Sequence, residues 1–99
     1  MSFFEVTSGE VRNKANQLSE LNQQFRTKAV DLSEKEGSLI SMWEGDAKMK
    51  FHQAFTHDKA QMDTFNQLID RYVEALLTIA QKYEEAERRA AELASSRSY

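Results

Sequence analysis

Apolar residues return along this chain in two helical rhythms separated by one short interruption. In the first half, Val11, Leu18, Phe25, Leu32 and Leu39 recur every seven residues. Seven residues are two slightly underwound turns, so all five share one face of a helix. Companion positions Ala15, Asn22, Ala29, Glu36 and Trp43 repeat with the same period and are less uniform. Alanine at such places lets a second helix approach closely, whereas Asn22 and Glu36 interrupt the apolar seam. In the second half, Phe51, Phe55, Met62, Phe65, Ile69, Tyr72, Leu76, Ile79, Tyr83, Ala86 and Ala90 follow steps of four and three, with Asp58 in the gap. Leu68, Val73, Leu77 and Ala80 widen this stripe, so the second helix is expected to pack against more than one neighbour.

The ends of these segments carry their own signals. Thr7 and Glu10 have the spacing of a capping box, and Val6 and Val11 stand where a hydrophobic staple would. The pattern predicts a first helix from about residue 8 to about residue 41 and a turn over about 42–46. Gly45 lies within that turn, in Ser41-Met42-Trp43-Glu44-Gly45-Asp46. Asp46, a residue type that favours helix starts, opens a second helix that runs to about residue 93. The composition of Ala94-Ser95-Ser96-Arg97-Ser98-Tyr99 predicts a frayed tail.

So short a connection makes the helices antiparallel neighbours within a single domain over residues 1–99. The expected register sets Val11 opposite Leu76, Leu18 opposite Ile69, Phe25 opposite Met62 and Leu32 opposite Phe55, and puts Phe4 near Tyr83. At about 1.5 Å per residue the first helix is about 50 Å long and the second about 70 Å, so the second overhangs. A lone hairpin rarely buries both of its helices. The all-α architecture expected is therefore an antiparallel two-helix hairpin that dimerises into a four-helix bundle. Val11, Leu18, Phe25, Leu32, Phe55, Met62, Phe65, Ile69, Tyr72, Leu76 and Ile79 are its expected core and dimer-packing residues.

Composition narrows the function. Hydrophobic residues are 40% and charged residues 29% of 99, with no proline and three glycines, a balance that suits long helices and disfavours a β-sandwich. A net charge of −3 without a basic stripe argues against nucleic acid as a partner. There is no cysteine, hence no disulfide and no thiolate metal site. His52 and His57 are five apart, which is not the spacing that puts two metal ligands on one helical face. The serines fall in caps, helix surfaces and tail, and no glycine-rich phosphate loop exists. A two-helix bundle also offers no obvious substrate cleft. A non-enzymatic protein without cofactor, metal or small-molecule substrate is expected. Met1-Ser2-Phe3-Phe4-Glu5 lacks a basic start followed by an apolar core, so no cleavable signal peptide is expected. No apolar run approaches the roughly 20 residues of a membrane span. On these grounds alone the expected location is the cytoplasm.

Trp43-Glu44-Gly45, placed in the turn of a helical hairpin of about this length, resembles the WXG100 family. The similarity covers nearly the whole chain. Tyr83-Glu84-Glu85-Ala86-Glu87 agrees with it, being similar to the Y-x-x-x-D/E pattern in the C-terminal part of type VII secretion substrates. Tyrosine and glutamate four apart share a helix face, so one receptor can read both. The resemblance implies export in folded form from a Gram-positive-type bacterium, as an antiparallel homodimer or a heterodimer with a sister WXG100 protein. It implies a membrane-bound ATPase of the FtsK/SpoIIIE type as a partner. It further implies that the turn of one subunit lies near the C-terminal motif of the other, forming a bipartite signal from Trp43 and Gly45 with Tyr83 and Glu87. The expected location then moves from cytoplasm to cell surface or medium, and the expected role is that of a secreted effector or adaptor.

Plainer roles stand beside these. Trp43 also suits a plug at the bundle end with Gly45 easing the turn, and Tyr83 also continues the apolar stripe. Within the family, a secretion partner or chaperone for a larger substrate is the alternative. Outside it, the alternatives are a coiled-coil scaffold that is never exported and an amphipathic protein that opens at membranes.

Overall fold

In a computed structural model, which describes residues 6–96, the chain is all-α: α1 spans Ser8–Met42 and α2 spans Asp46–Ser96. They lie antiparallel in a rod of 84 × 22 × 16 Å. Thr7 is the N-cap of α1, in extended backbone (φ −79°, ψ 156°), and its Oγ1 accepts a hydrogen bond from the Glu10 N–H at 3.1 Å. That bond satisfies one of the N–H groups a helix start leaves without a partner. Trp43 ends α1 in extended backbone, its N–H donating to the Ile40 carbonyl at 3.3 Å. Gly45 then turns the chain at φ +111°, a conformation L side chains resist, and its carbonyl accepts from the Lys48 N–H at 3.2 Å in the first turn of α2.

The side chains buried between the helices are small or polar. Ser8, Ala15, Asn22, Ala29 and Glu36 of α1 are buried, one every seventh residue, with Asn66 and Ala80 from α2. The series expected to line this contact stands about 40° further round α1, the angle made by positions four apart on a helix. Val11, Leu18 and Phe25 are half-buried there, while Leu32 and Leu39 are exposed. Only small side chains allow the two backbones to approach closely, so the bulkier series is displaced to one side of the seam.

Leu18 and Ile69 line the same cleft, as the expected register has it, and Phe25 there meets Phe65 edge-on with ring centroids 5.6 Å apart. Glu36 reaches His52, and toward the open end Arg12 reaches Glu84. Phe4, expected near Tyr83, lies outside the described residues. The stretch expected to fray from Ala94 is helical through Ser96. Ala90, Ala91, Glu92, Leu93 and Ala94 are strong helix formers that lead into it, which accounts for the extension; residues 97–99 lie outside the described residues. With 51 residues against 35, α2 outruns α1, and from Glu87 to Ser96 every residue of it is exposed.

Candidate interaction surfaces

Helical spacing sorts the outer surface of the hairpin into two sides. On one, Leu18, Leu21 and Phe25 of α1 form a shallow apolar cleft with Phe65 and Ile69 of α2. Tyr72, Ile79 and Tyr83 follow Phe65 along the same side of α2, spaced four or seven residues apart. These large side chains have little cover: Leu21 is 60% exposed, Phe65 52% and Tyr72 56%. Of the residues expected to pack a core or dimer, Val11, Leu18, Phe25, Phe55, Met62, Ile69 and Leu76 are half-buried, and Leu32, Phe65, Tyr72 and Ile79 are exposed.

The seam and the side opposite are polar and tied across the helices. Asn22 and Asn66 bond reciprocally: Asn22 Nδ2 donates to the Asn66 carbonyl at 2.9 Å, and Asn66 Nδ2 donates to Asn22 Oδ1 at 2.8 Å and to the Asn22 carbonyl at 3.1 Å. Asn22 Nδ2 also donates to Asp70 Oδ1, and the Arg26 guanidinium donates to Asn66 Oδ1 at 2.6 Å and to Asp70 Oδ2 at 3.1 Å. Nearer the turn, the buried Glu36 carboxylate meets His52 Nδ1 at 2.9 Å. His57 stands apart on the surface, 3.3 Å from Gln61 Nε2. No group of three or more His, Cys, Asp or Glu among the described residues could hold a metal ion.

The ends of the rod carry the two motifs. At the closed end Trp43 is half-buried against Phe51, ring centroids 5.5 Å apart, and these two with Leu39 and Met42 make an open apolar cup beside Gly45. At the open end Tyr83 is 44% exposed on the apolar side. Glu87 is engaged: its carboxylate accepts from the Ser8 N–H at 3.4 Å and from Ser8 Oγ at 3.2 Å. Within one chain the structure does not bring these motifs together, because the length of α2 from the turn to Tyr83 is about 55 Å at 1.5 Å per residue.

Spacing alone did not mark Asn66, Asp70 or Ser8 as partners. The available signal was the polar members of the series 8, 15, 22, 29 and 36, since Asn22 and Glu36 make sense in a seam only if the opposite helix supplies a partner.

With the geometry in view, comparisons with known proteins converge. The WXG100 family model, described as proteins of 100 residues with WXG, matches residues 4–88. The type VII secretion system extracellular protein A of Staphylococcus aureus (strain USA300) is 25% identical over 85 residues, covering 86% of this chain and 88% of that protein. The crystal structure of selenomethionine-labelled secreted protein EsxB from Bacillus anthracis str. Sterne superposes with a TM-score of 0.77 at 21% identity, over 88% of this chain and 99% of that one. The wild-type EsxB crystal structure gives 0.75 at 21% identity, over 85% and 97%. At that identity the structural likeness establishes the fold.

Proposed function

The chain belongs to the WXG100 family and is similar to type VII secretion substrates, and on that premise we propose that it is itself exported by such a system and works as a dimeric, non-enzymatic effector or adaptor. The observation that carries this reading is the family match over residues 4–88, together with relatives named as extracellular proteins of type VII secretion. No helix among the described residues is long and apolar enough to cross a membrane.

The uncovered apolar side supports a dimer. Leu21, Phe65, Tyr72 and Ile79 are large and exposed in the single hairpin, which is what a four-helix bundle would cover. A second copy is the partner proposed, with the two hairpins antiparallel about a two-fold axis. That arrangement also serves export. It places the closed end of one rod beside the open end of the other, so that Trp43 and Gly45 of one copy adjoin Tyr83 and Glu87 of its partner. A receptor on the secretion ATPase, of the FtsK/SpoIIIE type, would read these residues as one surface. Contacts between proteins suffice for such a role, and no cofactor, nucleic acid or small molecule enters it.

The test is an immunoblot of cells and medium from the native host, comparing wild type, a strain lacking the ATPase, and Tyr83→Ala with its folding checked by circular dichroism. Protein is expected in the wild-type medium and missing from the other two media. Retention in the cells of every strain would overturn the reading.

A further inference from the structure

The acidic member of the proposed export motif is held by the opposite end of the sequence. Both Glu87 carboxylate oxygens accept from Ser8, one from its N–H at 3.4 Å and the other from its hydroxyl at 3.2 Å. One turn along, Arg12 Nη2 donates to Glu84 Oε1 at 2.7 Å in an exposed ion pair. Ser8 is the first residue of α1 and is buried, so the Glu87 carboxylate lies over the helix start, where free N–H groups and the helix dipole favour negative charge. These two contacts form a clasp on the stretch of α2 that carries Tyr83. Beyond it α2 is exposed throughout, and a helix without neighbours is marginal in water.

We propose that Ser8 and Arg12 are positioning residues of the export motif: they hold Glu87 and Glu84, so that Tyr83 and Glu87 are presented as one ordered pair only when the hairpin is closed. The inference rests on the reading of Tyr83 and Glu87 given above and adds the first turn of α1 to it. A glutamate side chain free in solution loses rotamer freedom when a receptor binds it, and an orienting bond formed beforehand reduces that cost. The carboxylate keeps lone pairs for the receptor while Ser8 holds it. An opened hairpin would offer the same residues on a fraying helix, so the clasp makes recognition depend on folding.

Ser8→Pro gives a clean test. It removes both donors to Glu87, while proline is favoured at the first position of a helix, and Thr7 already has the extended backbone required before proline. Ser8→Thr keeps both donors. Arg12→Glu breaks the second contact, and Arg12→Glu combined with Glu84→Arg restores it with reversed charge. Each variant is followed by export in the native host, and on the purified full chain by circular dichroism, sedimentation and amide hydrogen exchange over residues 83–96.

Ser8→Pro is expected to keep helicity and oligomeric state, to exchange faster over 83–96, and to lose export roughly threefold to tenfold, the equilibrium worth of one or two hydrogen bonds. Ser8→Thr and the charge-reversed pair are expected to be exported like wild type. Wild-type export of Ser8→Pro alongside retention of Glu87→Ala would overturn the clasp and leave the motif standing. Loss of helicity or of the oligomer in Ser8→Pro in step with export would also overturn it, since the effect would then be general unfolding. Wild-type export of Tyr83→Ala would remove the motif itself, and the clasp with it.

Discussion

Where α1 meets α2, the buried side chains are Ala15, Ala29 and Ala80 with Ser8, Asn22, Glu36 and Asn66, whereas on the side of the hairpin Leu21, Phe65 and Tyr72 are more than half exposed. The most deeply buried positions of the intramolecular contact hold small or polar groups, while large apolar groups stand half-buried at its margin or look outward. Small side chains set the spacing of the helices. The polar ones set their register, because an amide pair such as Asn22 and Asn66 is satisfied in one alignment and not in its neighbours. The large apolar residues contribute most where they lose the most water-accessible area, at about 25 cal/mol per Å², and in this hairpin much of that area is still open to a partner. Folding and the proposed association would therefore draw largely on different residues, and the two can be perturbed separately.

The largest separation is expected from Phe65→Asp. A charge at the middle of the apolar side should cost association about 3 kcal/mol, a hot-spot magnitude, or roughly a hundredfold in dissociation constant. Sedimentation should show monomer at concentrations where the proposed wild-type dimer forms. An unchanged dimer would mean that this side is not the interface.

Asn22→Leu attacks the seam. Asn66 Nδ2 then loses its side-chain acceptor and keeps the residue-22 carbonyl, the Asn66 carbonyl loses its donor, and Asn66 Oδ1 keeps Arg26, at a cost of about 1–2 kcal/mol in urea unfolding. Asn22→Leu with Asn66→Leu should recover most of that stability, since an apolar pair leaves nothing unsatisfied. Loss of a unique register in the double variant, visible as extra or broadened amide resonances, would identify alignment as the role of the polar pair. Equal destabilisation by the single and double variants would instead point to packing.

The two helices, the start at Thr7 and the turn at Gly45 were legible because each has a local cause: period, cap and break. The choice of which face of α1 turns inward was not. The series through Leu18 and the series through Asn22 share a period and lie about 40° apart, so either can be centred on a neighbour. Hydrophobicity favours the first, and it is right if the only question is which residues leave water. It does not say whether a leucine leaves water against the same chain or another. The Ser8–Glu87 and Asn22–Asn66 pairs were hidden for a related reason, since a polar residue names its partner only once the register is known. The motif at Tyr83 and Glu87 was legible as a pattern, while the engagement of Glu87 by Ser8 was visible only in three dimensions.

Two glycines give the smallest effects, and Gly37 acts as a control, lying outside the seam, the apolar side and the turn. A Cβ added at Gly45 would meet nothing within 4 Å, but φ is +111°, so Gly45→Ala should cost about 1–2 kcal/mol of thermal stability through backbone strain alone. Gly37 is exposed within α1 with open space around it, and Gly37→Ala should stabilise by about 0.5–1 kcal/mol. Gly37→Ala should not shift the monomer–dimer equilibrium measured by sedimentation. A shift would show that folding and association are not separable.

The antiparallel course of α1 and α2 also fixes how the rod answers to force. Thr7 and Ser96 leave at the same end, so a pull applied between them would peel the helices apart from the Ser8–Glu87 contact inward, one bond at a time. A pull between the overhang of α2 and the turn at Gly45 would run along a single helix and stretch its backbone hydrogen bonds, leaving the seam unloaded. The same molecule is thus weak along one line of traction and stiff along another, and where a load is anchored decides which resistance it meets.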